Sequence, residues 1–178
     1  MNFFDLSYLQ QGSEKQKKAF QCLTELHLPN QLARFNACLC GTIPLDLIID
    51  SSDLDIIAEV NDFNAFRRAL NKFRHLKGFK LKEKQINGKK VLKVNFFHKA
   101  FEVEVFGQPV PVIKQNAYLH MVIENHLLEK NGRYFREQVM QLKQLGYKTE
   151  PAFCRALHLP AENPYLALIE YAKEQQII

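Results

Sequence analysis

The chain lacks most of the features that would place it outside a globular fold. No apolar run is long enough to span a bilayer, and a stretch of roughly 20 such residues would be needed. The start of the chain carries Asp5 and no basic n-region, so no signal peptide is expected. No internal repeat or low-complexity segment is present, which excludes solenoids and biased linkers. Only four cysteines occur, Cys22, Cys38, Cys40 and Cys154, with neither zinc-finger spacing nor the density of a disulfide scaffold. They read as reduced structural thiols, and a cytoplasmic location is the expectation. A long basic run is also missing. The net charge of +5, from 24 Lys and Arg against 19 Asp and Glu, suits an anionic ligand but is too diffuse to argue for nucleic acid.

What is present is ordinary in amount and specific in placement. The 178 residues suffice for one good core with a smaller helical part. Ser13-Glu14-Lys15-Gln16 is a capping box opening a helix with an Ala19, Phe20, Leu23, Leu26 stripe, which Pro29 is expected to close. Residues 37–41 read as a short buried strand and 53–60 as a second. Asn61-Asp62 caps a helix carrying Phe63, Phe66, Leu70 and Phe73. Three strand-like runs follow near 78–86, 90–97 and 101–106, the first two joined by an Asn87-Gly88 hairpin turn. From Val112 the periodicity is helical, over 114–129 and 132–145. Thr149 is then a candidate cap for 150–157, and Asn163-Pro164 opens the last helix. The pattern predicts an α+β fold: an α/β domain over 1–110, its sheet covered by helices on one face, and a helical region over 111–178 packed on it.

The chemistry concentrates between residues 41 and 55. Gly41-Thr42 is followed by ten residues and then by Asp53-Leu54-Asp55-Ile56. Side chains alternate across a strand, so Asp53 and Asp55 project together roughly 6–7 Å apart. Like charges so close call for a cation, and Mg²⁺ is commonly held by one or two carboxylates plus substrate phosphates. Gly41 has no Cβ to keep a ligand from the backbone. The acidic face continues in Glu102 and Glu104, opposite Phe101, Val103 and Val105. If Glu104 lies near the Asp pair, three carboxylates converge. Lys80, Lys82, Lys84 and Lys93 could then steer a triphosphate.

Other candidates carry less. His120 and Glu124 stand one helical turn apart, and such a pair is usually a surface hydrogen bond rather than a metal site. Tyr118, Tyr134 and Tyr165 could stack on a base, but in amphipathic helices they are expected to pack in a core.

Leu39-Cys40-Gly41-Thr42, the spacer and Asp53-Leu54-Asp55-Ile56 resemble the signature of the nucleotidyltransferase superfamily, with its polymerase-beta-like fold. Phe101-Glu102-Val103-Glu104-Val105-Phe106 resembles the strand bearing its third acidic residue. More narrowly, the chain resembles a small bacterial family of unknown function within that superfamily. That likeness rests on Gly41-Thr42-Ile43-Pro44, Ser52-Asp53-Leu54-Asp55-Ile56, Glu104-Val105-Phe106-Gly107-Gln108, Gln115-Asn116-Ala117-Tyr118-Leu119-His120-Met121, Thr149-Glu150-Pro151-Ala152-Phe153 and Asn163-Pro164-Tyr165. The resemblance implies that Asp53, Asp55 and Glu104 hold two Mg²⁺ ions. It implies that Gly41 and Thr42 contact the triphosphate of an NTP, ATP first, with Ser52 and Lys93 as further nucleotide-binding candidates. The implied reaction moves NMP to an acceptor hydroxyl on a small molecule, protein or RNA. A catalytically inactive binding or partner protein is the alternative, since Glu104 stands where Asp is usual.

Overall fold

Strand periodicity and turn chemistry build the sheet. The computed structural model describes residues 1–160 and 162–178. The chain divides into two compact units, Met1–Gln115 and Asn116–Ile178. The first holds strands β1 (Cys38–Cys40), β2 (Leu54–Glu59), β3 (Lys80–Ile86), β4 (Lys89–His98) and β5 (Phe101–Gln108) in the order β1-β2-β5-β4-β3. β2 and β5 run parallel and the other pairs antiparallel, so the sheet is mixed. Between β3 and β4, Asn87 and Gly88 both adopt positive φ (49° and 74°), as a two-residue hairpin turn with matching twist requires.

One sheet face is the core. Leu54, Ile56 and Ala58 of β2, Val103 and Val105 of β5, and Leu92, Val94 and Phe96 of β4 are all buried in one cluster. Helices α1 (Glu14–Glu25), α2 (Leu28–Leu32) and α3 (Phe63–Leu70) contribute Ala19, Cys22, Leu23, Leu28, Leu32, Ala65, Phe66 and Leu70 to it. Burying a side chain the size of Phe66 contributes roughly 1.5–3 kcal/mol. Its seat depends on Gly107, where a Cβ would lie 2.3 Å from the Phe66 ring. Asp62 caps α3 by accepting from the Ala65 amide at 2.9 Å.

The Ser13 capping box forms as expected, with Gln16 Oε1 accepting from the Ser13 amide. Pro29 behaves differently. Helix α1 ends at Glu25, the chain turns through His27 at φ 49°, and Pro29 lies in the first turn of α2. Proline there loses no hydrogen bond, because a first-turn amide has no intrahelical acceptor. All four cysteines are free and buried. A turn at Val112–Lys114 ends the first unit, tied to the sheet by Gln115, whose Nε2 donates to the Ala58 and Val110 carbonyls.

The second unit holds α4 (Asn116–Gln144), α5 (Thr149–Ala156) and α6 (Pro164–Glu174). α4 is broken at Gly132, where φ 70° and ψ −161° leave the helical region. Phe135 of α4 meets Phe153 of α5 edge-on at 5.7 Å. Asn163 caps α6 by accepting from the Leu166 amide. Thr149 does not cap α5: Lys148 holds that position without a side-chain bond, and Thr149 Oγ1 accepts from the Lys143 ammonium at 2.9 Å. Tyr134 and Tyr165 are 72% and 39% exposed, against the expectation of core packing. No helix among the described residues is long and apolar enough to cross a membrane.

Candidate active site

The second face of the sheet collects the polar chemistry because ladder partners share a face. Asp55 lies opposite Glu104, Glu104 opposite Asn95, and Asn95 opposite Lys80, a row crossing four strands. In the next row Lys93 lies opposite Lys82. The lysines of β3 therefore flank the carboxylates of β2 and β5 on the same surface.

Asp53, Asp55 and Glu104 each direct a carboxylate oxygen to a common point, the three oxygens lying within 4.8 Å of one another. Gly41 closes one side of this hollow. Its φ is +74°, and a Cβ there would stand 2.5 Å from Asp55 Oδ2, so both backbone conformation and space demand glycine. The ten-residue loop after Thr42 is drawn shut at its ends, where the Thr42 hydroxyl donates to Ser52 Oγ at 3.1 Å. Ser52 Oγ also accepts from the Ile49 amide at 3.0 Å. Gln16 pins the loop to α1 by donating to the Ile43 carbonyl at 2.8 Å. Thr42 and Ser52 thus hold the loop's shape beside the acidic groups.

Burial and neighbouring carboxylates together raise the pKa of both aspartates on this face. Burial pushes Asp55 up to about 7, the neighbouring Asp53 and Glu104 charges add to the rise, and Lys93 opposes it. Asp53 is raised too, first by burial and then by Glu104 and Glu102, against a backbone hydrogen bond and Lys93. Lys93 Nζ sits 2.5 Å from Glu104 Oε2, and Asn95 Nδ2 donates to both Glu102 Oε1 (2.9 Å) and Glu104 Oε2 (3.2 Å). The remaining donors are all hard oxygens on short arms, a set that fits Mg²⁺.

Thr42 follows Gly41 and Ser52 precedes Asp53 in the chain, and Lys93 pairs with Glu104, so these residues border the three carboxylates. One contact escaped the sequence reading: Asn95 bridges Glu102 and Glu104, and only the β4–β5 register sets it opposite Glu104. The pair judged a surface hydrogen bond is neither exposed nor bonded. His120 and Glu124 are 4% and 3% exposed, and they approach Glu150 rather than solvent.

The fold has solved counterparts. The structure of a cytoplasmic RNA terminal U-transferase matches with a TM-score of 0.53 at 15% identity, over 74% of this chain and 41% of that one. The polymerase core of TRAMP, an RNA surveillance complex, matches at 0.52 and 13% identity, over 92% and 50%. A mutant of the Cid1 poly(U) polymerase bound to MgATP matches at 0.52 and 17% identity, over 78% and 46%. The chain thus spans half or less of the length of each. At these identities the likeness establishes a nucleotidyltransferase-like fold. A search of curated proteins finds no match. Residues 21–171 match the domain family DUF4269, described as a domain of unknown function. The protein therefore belongs to the DUF4269 family and carries the α+β architecture of nucleotidyltransferase polymerase cores.

Proposed function

We propose that the protein is a Mg²⁺-dependent nucleotidyltransferase that transfers NMP from an NTP, ATP first, to an acceptor hydroxyl on a small molecule, protein or RNA. The observation that carries this reading is the convergence of Asp53, Asp55 and Glu104 within 4.8 Å beneath a glycine at φ +74°. In this reading the three carboxylates hold up to two Mg²⁺ ions. When bound, the metal lowers the pKa of the attacking hydroxyl and stabilises the departing pyrophosphate. Gly41 admits the phosphate chain to the backbone, while the Thr42 and Ser52 hydroxyls and the Lys93 ammonium complete its cradle. The acceptor hydroxyl gives up its proton to solvent as its oxygen bonds to the α-phosphorus, the α–β phosphoanhydride bond breaks, and pyrophosphate leaves. Asp55 must give up its proton for this arrangement to form, so cation binding displaces a proton near neutral pH. Catalysis then rests on positioning and electrostatics.

The Lys93–Glu104 pair favours a second reading, a nucleotidyltransferase-like protein that binds without turnover. There a protein ammonium already supplies part of the charge that a metal would bring. ATP binding measured with and without Mg²⁺ tests the proposal. Wild type is expected to bind ATP only with Mg²⁺, and Asp53→Asn/Asp55→Asn to lose that binding while keeping its fold. Equal affinity in the double variant overturns the site assignment. Metal-dependent binding without pyrophosphate release from any of the four NTPs favours the second reading.

A further inference from the structure

The helical unit contains a second convergence of ligand-type side chains, apart in sequence from the first. His120 and Glu124 lie one turn apart on α4, and Glu150 lies in the first turn of α5. One donor atom from each falls within 4.8 Å of the others. Both ring nitrogens of His120 and Oε1 of Glu124 are buried without a hydrogen-bond partner. These are three of the five such side-chain atoms among the described residues, so the deficit in polar partners is concentrated at this point. Each buried polar group left unpaired costs about 1–3 kcal/mol, more if charged. Three such atoms at one point would be stabilised by a bound group that pairs with them.

We infer that His120, Glu124 and Glu150 form a binding site for one divalent transition-metal ion of the zinc class. An imidazole nitrogen with two carboxylates is a mixed N/O donor set suited to Zn²⁺, whereas Mg²⁺ and Ca²⁺ take oxygen ligands. The charges fit. Glu124 and Glu150 bring two negative charges, and Lys143 beside them brings one positive charge, held by Thr149 Oγ1. Without a metal, burial favours a protonated Glu124 and a neutral His120. Neutral His120 is already in the ligating form, whereas Glu124 gives up its proton when the dication binds. Cys154 stays out of the set: its Sγ donates to the Pro164 carbonyl, and burial, with Glu150 and Glu124 nearby, lifts the thiol to about 11. The ligands come from two helices, so the ion ties α5 to the first segment of α4. The inference is independent of the proposed transfer reaction.

The test uses the full chain stripped of metal by chelator, in the Asp53→Asn/Asp55→Asn background so that the first acidic site does not contribute. Calorimetric titration with ZnCl₂ is expected to give one tight site per chain, with no heat from MgCl₂ at the same concentrations. Co²⁺ is expected to give visible d–d absorption bands of a low-coordinate site. Glu150→Gln, whose side chain is partly exposed, is expected to weaken Zn²⁺ by about tenfold or more. His120→Ala is expected to remove the site and the Co²⁺ bands. Circular dichroism checks folding, and if His120→Ala fails to fold, Glu150→Gln carries the test. No tight Zn²⁺ binding, or a stoichiometry and affinity unchanged by Glu150→Gln, overturns the inference.

Discussion

The two acidic clusters each bring three ligand atoms within 4.8 Å of one another, yet their donor sets suit different occupants. Asp53, Asp55 and Glu104 stand on neighbouring strands of an open sheet face, partly exposed, all oxygen, and flanked by Lys93 and Asn95. His120, Glu124 and Glu150 sit on helices, with the first two almost wholly buried and an imidazole among the donors. Accessible hard oxygens beside lysines favour a cation that arrives with an anionic substrate and leaves with product. A buried nitrogen-containing set favours an ion that stays and holds helices together. On the proposed readings, exposure and donor type, more than the count of carboxylates, distinguish the two clusters.

The sharpest way to break this contrast is to disarm the sheet site alone. Asp53→Asn/Asp55→Asn is expected to reduce nucleotidyl transfer, measured as pyrophosphate release, by about 10²-fold or more. The same variant is expected to keep the one-Zn²⁺ stoichiometry of the helical unit. Coupled loss of both would show that the two clusters do not act separately.

Gly41→Ala comes next. An alanine at φ +74° costs about 1–2 kcal/mol, and its methyl would press on Asp55 Oδ2. Thermal melts are expected to show that modest loss, with Mg-ATP affinity falling further than stability does. A stability loss with unaltered affinity would detach Gly41 from the site.

The pH response probes both clusters. The folded pKa of Asp55 is raised to about 7, above the ordinary value of 3.8 that the unfolded chain keeps. Between those values the folded state binds more protons than the unfolded one, so stability falls as pH rises through that window. Asp55→Asn is expected to flatten the slope and to raise Tm above pH 7, by about 2–4 °C for each kcal/mol recovered. Glu124→Gln is expected to stabilise the metal-free helical unit at high pH for the same reason, while forfeiting any Zn²⁺-dependent rise in Tm.

The smallest effect is expected at Lys93→Ala. Its pair with Glu104 is about a quarter to a third exposed, so the stability change should be about 1 kcal/mol or less. Mg-ATP affinity measured against ionic strength is expected to weaken and to become less salt-sensitive.

The convergence of the sheet carboxylates was legible in sequence because its signals are local. A glycine, a spacer of set length and two carboxylates at period two need no tertiary knowledge to place on one strand face. Glu104 was reachable through the alternation of β5. Asn95 was not, since its role depends on the β4–β5 register that sets it opposite Glu104. The helical unit was harder. His120 and Glu124 share a helix face at i, i+4, but sequence spacing does not say whether that face meets water or α5. The same ambiguity misplaced Tyr134 and Tyr165. Pro29 and Thr149 misled differently, each being a residue that suits two adjacent positions at a helix end.

A structure of the protein with Mg²⁺ and a non-hydrolysable ATP analogue tests the central claim most directly. The expected result is metal density bridging Asp53, Asp55 and phosphate oxygens beneath Gly41, with Lys93 drawn from Glu104 toward the triphosphate. Nucleotide bound away from that hollow, or phosphates held there with no metal contacting either aspartate, would contradict it.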